Sequence, residues 1–247
     1  MKPLNLIFIF CAMCSFVPLG MNDYRADYTK IVAAYKAHAC LSFNVTYKSF
    51  DKSTTKADTV FSGRYQIKGN KFRSRILGTE SIGNDKYYLA IDHNSKMFFL
   101  YKASAVSGDF YPISTIDTLI KKKSVEVTGE VINEGKTRRY DVVNKASAYD
   151  SYTKASYEFD VSNYLIKKVV MHLPARENVY KQANWPYLND PFVEFNYSNY
   201  SFGDIDESVF STDKYLSIKE EGRNVQATEA YKGYKIVNSI LISQQIR

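Results

Sequence analysis

The sequence predicts a mainly β fold with helices, of the α+β class, and three observations carry that expectation. Apolar and polar residues alternate over long stretches, as where Phe43, Val45 and Tyr47 interleave with Asn44, Thr46 and Lys48; a period of two is the mark of a strand with one wet face. A helical period occurs near the N-terminus, where Tyr24, Tyr28, Ile31, Val32 and Tyr35 share one stripe. The 247 residues are 45% apolar and 24% charged, with 11 Gly and 6 Pro, which excludes a wholly disordered chain and collagen-like or low-complexity sequence.

The first segment, residues 1–20, has the pattern of a secretory leader. Lys2 gives a positive start, Leu4 to Val17 is almost unbroken apolar sequence, and Pro18-Leu19-Gly20 ends it. That run falls short of the ~20 residues of a membrane-spanning helix, and no later run is as apolar, so no span is expected once the leader is removed. Lipid attachment at Cys11 or Cys14 would call for a small residue before the cysteine, and Phe10 and Met13 stand there. Beyond residue 20 the one cysteine is Cys40, which excludes an internal disulfide in the mature chain. The formal charge of +7 becomes +6 when Lys2 leaves with the leader.

The helical stripe predicts a helix over Asn22–Ala39, with Asn22 or Asp23 as its cap. Strands follow. Phe61, Gly63, Tyr65 and Ile67 alternate with polar residues, and Gly69-Asn70 is a hairpin turn into Lys71–Ile76. Tyr87–Ile91 and Met97–Tyr101 flank the turn Asp92-His93-Asn94-Ser95. Both faces of this hairpin are apolar, so each must be covered or must line a cavity. Pro112–Lys123 has the periodicity of a short helix, opened by Ser114 and Asp117 and closed by three lysines. Strands resume at Val125–Val127, Val131-Ile132, Arg139–Val143, Tyr157–Val161, Leu165–Leu173 and Phe192–Phe202, with an irregular stretch at Ala175–Asp190 that holds Trp185. One compact domain over residues 21–216 is expected, with residues 217–247 as an appended extension whose pattern suits helix and strand alike.

Three stretches resemble the periplasmic outer-membrane lipoprotein carriers (LolA-like), their receptor relative LolB and the regulator domain RseB. The first is Phe61-Ser62-Gly63-Arg64-Tyr65-Gln66-Ile67-Lys68 running into Lys71-Phe72-Arg73. The second is Glu80 to Leu89 with Tyr101, where Asn84-Asp85-Lys86 stands for the family's D-G-K turn. The third is Tyr164–Val169 with Val193–Tyr197 and Phe210, after the acidic loop Asp204–Glu207. The chain departs from the pattern at Gly69-Asn70, where the family often has a basic residue and Pro, and at Ser74, where it often has Trp.

The resemblance implies a strongly curved antiparallel sheet, an incomplete β-barrel, closed by the N-terminal helix and a short central helix. It implies an exported protein of the periplasm, with an outer-membrane anchor or an extracellular place as alternatives. It also implies a greasy concave cavity suited to acyl chains, since each CH₂ removed from water stabilises binding by ~0.8 kcal/mol. The wall expected for that cavity is Phe43, Val45, Tyr47, Phe61, Tyr65, Ile67, Phe72, Tyr87, Leu89, Ile91, Phe159, Val169, Phe195 and Tyr197. On that assignment Leu89→Glu abolishes ligand binding. The competing expectation is that the same residues fill a core, as side chains do in small barrels.

The partner so implied is a lipid or lipidated protein, with inner- or outer-membrane proteins as further partners. The alternatives are a periplasmic sensor or interaction domain that docks a protein or peptide, and a structural β module without ligand. His38, His93 and His172 have no ligand-type spacing, and the sequence has no nucleophile elbow, P-loop or dinucleotide fingerprint. No metal, cofactor or enzymatic activity is therefore expected. The scattered Lys and Arg form no basic stripe, so nucleic acid is not an expected partner. Oligomeric state is open at this level.

Overall fold

A computed structural model describes residues 21–50, 57, 59–76, 78–103, 125–144, 153–173 and 192–240. The leader expected at residues 1–20, the helix expected at Pro112–Lys123 and the stretch Ala175–Asp190 with Trp185 lie outside the described residues. Helix α1 (Met21–Lys36) precedes β1 (Cys40–Phe50), β2 (Thr59–Lys68), β3 (Lys71–Ile76), β4 (Thr79–Gly83), β5 (Tyr87–Asp92) and β6 (Met97–Lys102). Then come β7 (Val125–Ile132), β8 (Thr137–Asn144), β9 (Lys154–Asp160), β10 (Ile166–His172) and β11 (Phe192–Ser201). The C-terminal segment adds β12 (Leu216–Lys219), β13 (Asn224–Ala227) and β14 (Lys235–Asn238).

Twelve strands form one sheet in the order β14-β6-β5-β4-β3-β2-β1-β11-β10-β9-β8-β7, and β12 pairs with β13 in a separate two-stranded sheet. The large sheet is curved and does not close into a barrel. Its pairings are antiparallel except that β14 runs parallel to β6, a departure from the antiparallel expectation. The hairpin at Gly69-Asn70 forms as the sequence requires, with Gly69 at φ +59, where a side chain would be strained.

Side chains alternate between the two faces of a strand, so the register sorts the sheet into a face covered by α1 and a reverse face. On the helix face, α1 contributes Tyr24, Ile31 and Tyr35 to a buried cluster with Phe43, Val45, Tyr140, Val142, Tyr157, Phe159 and Val169. Polar contacts fix the helix in place. Asp27 is 1% exposed, pairs with Arg138, and accepts a 2.8 Å hydrogen bond from Tyr140 Oη. The Tyr35 and Tyr200 hydroxyls meet at 2.9 Å. Tyr35 Oη also accepts from the Ile166 N–H at 3.2 Å, and Tyr200 Oη donates to the Ile166 carbonyl at 2.6 Å. Burial pushes the Tyr35 phenol up to about 12, against these hydrogen bonds.

The other half of the sheet builds its core on the reverse face. Ile82, Leu89, Ile91, Phe98 and Leu100 are buried there beneath Tyr215, Leu216 and Ile240. The segment expected as an appended extension is thus part of the fold through residue 240. It also carries a polar clasp. Glu80, 3% exposed, accepts from Arg73 Nε at 2.6 Å and lies 3.4 Å from His93 Nε2. His93 Nδ1 meets Tyr234 Oη at 3.2 Å, and Arg73 donates to Tyr215 Oη at 3.2 Å. Burial opposes ionisation of Glu80, but Tyr215, Arg73 and His93 together hold its carboxyl below the usual range.

Candidate functional site

Because the core of β4 to β6 lies on the reverse side, the helix face of β2 to β6 is buried at Ile67, Phe72 and Gly83 but only half-buried over the rest of its two rows. Two cross-strand rows run over it. One is Leu41, Ile67, Phe72, Gly83, Tyr88 and Tyr101; the next is Phe43, Tyr65, Ser74, Ser81, Ala90 and Phe99. On β5 and β6, burial alternates residue by residue. Leu89, Ile91, Phe98 and Leu100 on the reverse face are buried, whereas Tyr88, Ala90, Phe99 and Tyr101 on the helix face are half-buried.

Small residues give this face its shape. Ser74, Ser81 and Ala90 sit side by side in the interior of the sheet, between Tyr65 and Phe99, and remain half-buried although their side chains are short. Gly83 lets the Phe72 ring lie flat across the neighbouring strand; a Cβ there would come 2.1 Å from that ring. Phe72 and Tyr88 have ring centroids 5.8 Å apart, as do Tyr88 and Tyr101. The result is a shallow trough with aromatic margins and a floor of serine and alanine.

The trough is electrically neutral. Neither row contains a charged residue. Burial pushes the Tyr65 phenol up, with Tyr88 adding to the effect. Burial likewise raises Tyr197, with Tyr65 and Tyr35 contributing, so these hydroxyls stay protonated at physiological pH. An uncharged aromatic surface binds hydrocarbon by area and has little to offer an ion.

The fourteen residues expected to form one wall fall into three places. Phe43, Val45, Ile67, Phe72, Phe159 and Val169 are buried in the cluster that includes α1. For these, the filled-core expectation describes what the structure shows. Tyr47, Phe61, Tyr65, Phe195 and Tyr197 lie on the helix face and are half-buried, except that Phe61 is 37% exposed. Tyr87, Leu89 and Ile91 are on the reverse face, packed with the C-terminal segment, away from the other eleven. Gly83 pairs with Tyr88 and Ser81 with Ala90, which puts the even-numbered residues of β5 on the helix face. Leu89 and Ile91 look like the stronger wall residues only because they are the more apolar pair.

Sequence reasoning missed Ser74, Ser81, Tyr88, Ala90, Phe99 and Tyr101. Pairing parity carried across the turn Asn84-Asp85-Lys86 would have found them. It also missed Asp27, a carboxylate set inside the apolar stripe of α1, three residues after Tyr24 and four before Ile31.

Two pockets lie outside the trough. One, of about 500 Å³, lies at the C-terminal end of α1 and is lined by Tyr35, Lys36, His38, Ala39, Leu41, Ile67 and Gly69. The other, of about 390 Å³, has Lys71, Asp85, Lys86 and Glu207 among its lining residues. Among the described residues no group of three or more His, Cys, Asp or Glu side chains is placed to hold a metal ion. No described helix is long and apolar enough to cross a membrane.

No protein-family profile matches the chain. No curated protein sequence matches it either. Solved structures do. A conserved protein from Thermus thermophilus aligns over 87% of this chain and 98% of its own, with TM-score 0.47 and 7% identity. A LolA-superfamily protein from Nitrosomonas europaea aligns over 76% of this chain and 97% of its own, with TM-score 0.35 and 12% identity. The Mycobacterium tuberculosis lipoprotein LppX aligns over 73% of this chain and 96% of its own, with TM-score 0.42 and 10% identity.

Proposed function

We propose that the protein is an exported carrier that holds the acyl chain of a lipid or lipidated protein against the helix face of β2 to β6. One observation carries this reading. In the interior of a twelve-stranded sheet, a neutral row of Tyr65, Ser74, Ser81, Ala90 and Phe99 stays half-buried, while the reverse side of β4 to β6 is closed. A sheet with no ligand to accommodate gains by burying such a row under its own side chains, at ~25 cal/mol per Å² of apolar surface.

The retained wall residues Tyr47, Tyr65, Phe195 and Tyr197 extend the same face towards β1 and β11. Binding here is by area and tolerates varied chain shapes. The aromatic margins add offset and edge contacts without fixing one pose. The leader at residues 1–20 suits a carrier that works outside the cytoplasm.

The test is native mass spectrometry and lipid extraction of protein purified from the exported fraction, with displacement of a fluorescent fatty acid. Co-purifying acyl species and saturable displacement support the reading. Lipid-free protein that shows no displacement overturns it.

A further inference from the structure

The pocket at the end of α1 differs from its neighbour in how its charges are used. In the 390 Å³ pocket, Lys71 is engaged by Glu207 at 2.8 Å and by Asp85 at 3.5 Å. Nearby Lys68 is held by Asp204 at 2.9 Å and by Glu207 at 3.3 Å. Those lysines are neutralised by the protein itself.

The 500 Å³ pocket is built otherwise. Its floor is Leu41 and Ile67, a directly paired and buried couple. That couple begins the row that runs through the buried Phe72 and Gly83 to the half-buried Tyr88 and Tyr101. The rim carries Lys36 and His38, both exposed. Among the described residues no carboxylate lies within ion-pair distance of Lys36, while the His38 ring stacks on Phe202 at 3.8 Å. Gly69 closes the other side with nothing within 4 Å of where its Cβ would stand, so that wall is open.

A lysine in the last turn of a helix also faces the negative end of the helix dipole. That accounts for a cation at position 36, but not for a hydrophobic floor beneath it. A volume of about 500 Å³ lies within the range of small-molecule sites.

We propose that this pocket receives the anionic head of a long-chain amphiphile, a carboxylate at Lys36 and His38, while its chain lies over Leu41 and Ile67. The proposal rests on the hydrocarbon reading and names the ligand class it admits: amphipathic anions over neutral lipids of equal chain length. Chain burial supplies the affinity, and the Lys36 ammonium with the His38 ring supplies the discrimination.

The experiment compares hexadecanoate, hexadecanol and acetate by calorimetry at low ionic strength, on wild type and on Lys36→Glu with His38→Gln. Both replaced side chains are exposed, and thermal melting confirms that the variant folds. Wild type is expected to bind hexadecanoate about 5- to 10-fold more tightly than hexadecanol, the scale of one net hydrogen bond at an exposed site. Added salt narrows the gap, and acetate alone shows no saturable binding. The variant is expected to keep hexadecanol affinity and lose the preference. Equal binding of hexadecanoate and hexadecanol by wild type, or a preference that survives in the variant, overturns this inference and leaves the hydrocarbon reading standing. Binding of neither long-chain probe overturns both. Saturable acetate binding that the variant loses reduces the pocket to a simple anion site and overturns the amphiphile assignment.

Discussion

Filling the trough is the sharpest perturbation of the acyl-binding hypothesis. Ala90→Phe places a ring on the helix face between Ser81 and Phe99, the cross-strand partners of Ala90. The position is half-buried and opens onto the trough, and Phe suits a strand, so the change should shift stability by no more than about 0.5 kcal/mol. Strands are spaced ~4.8 Å apart. A phenyl ring therefore covers a length occupied by roughly three to four methylenes of a bound chain, each contributing about 0.8 kcal/mol. The expected loss is about 2.5–3 kcal/mol, or on the order of 100-fold in Kd. Displacement of a fluorescent fatty acid reads the affinity, and thermal melting reads the fold. The control is Leu89→Ala, one residue away in sequence but on the sealed reverse face. It should cost about 2–5 kcal/mol of stability and leave the affinity of the folded fraction intact. Leu89→Glu, which the sequence alone assigned to the ligand wall, should likewise act through stability. Unchanged affinity in a well-folded Ala90→Phe protein, or affinity lost in a folded Leu89→Ala protein, would refute the assignment of faces.

Ending the chain at Lys214 removes Tyr215, Leu216 and Ile240, each no more than 1% exposed; at about 1.5–3 kcal/mol per large buried side chain this approaches the whole stability of a domain, so the truncated chain is expected to be insoluble on expression. Asp27→Asn weakens the pairing with Arg138 and the Tyr140 contact in a buried setting; a loss of about 3 kcal/mol is expected in urea titration, with hydrogen exchange accelerating first in α1. Asp160 is held down to about 2 by Lys167 and by the side-chain and backbone groups of Ser162. Its folded value thus lies below the unfolded value of ~3.9, so its contribution is present above about pH 4 and lost as pH falls toward 2. Asp160→Asn should flatten the urea midpoint across that window, and an unaltered slope would count against the assignment. Glu80→Gln should loosen residues 215–240 in hydrogen exchange while α1 stays protected, because Glu80 orients Arg73 and His93, which bond Tyr215 and Tyr234.

Much of this architecture is legible in local pattern. The stripe on α1, the alternation in β1 and β2, and the Gly69-Asn70 turn each follow from one residue type at one spacing, and each forms where the spacing puts it, although α1 ends at Lys36 rather than at residue 39. What local pattern does not hold is which face of each strand meets which partner. Leu89 and Ile91 are more apolar than Tyr88 and Ala90, and hydrophobicity alone therefore selects the face that packs under the C-terminal segment. The parity of β5 is set locally by its hairpin with β4, but which of its faces is sealed is decided non-locally, by residues more than a hundred positions later. The same holds for residues 217–240, whose short strands carry an ambiguous period and take their form from the sheet beneath them.

The two-sided core has a physical logic that bears on function. A strand in the interior of a sheet must bury at least one face to be stable, and β7 to β10 do so beneath α1. If β2 to β6 buried the same face as tightly, no hydrocarbon could enter without first displacing protein side chains, and the loss of packing would cancel the gain from chain burial. Moving the core of β4 to β6 to the reverse face removes that conflict. The segment carrying Tyr215, Leu216 and Ile240 stabilises those strands from behind, and β14 pairs with the edge strand β6. Their helix face is then free to stay shallow and half-open, with Ser74, Ser81 and Ala90 as its floor. On this argument the C-terminal segment is what permits an open face without an unstable sheet. Substitutions under it should therefore act on stability, and substitutions on the trough floor should act on binding, with little crossing between the two.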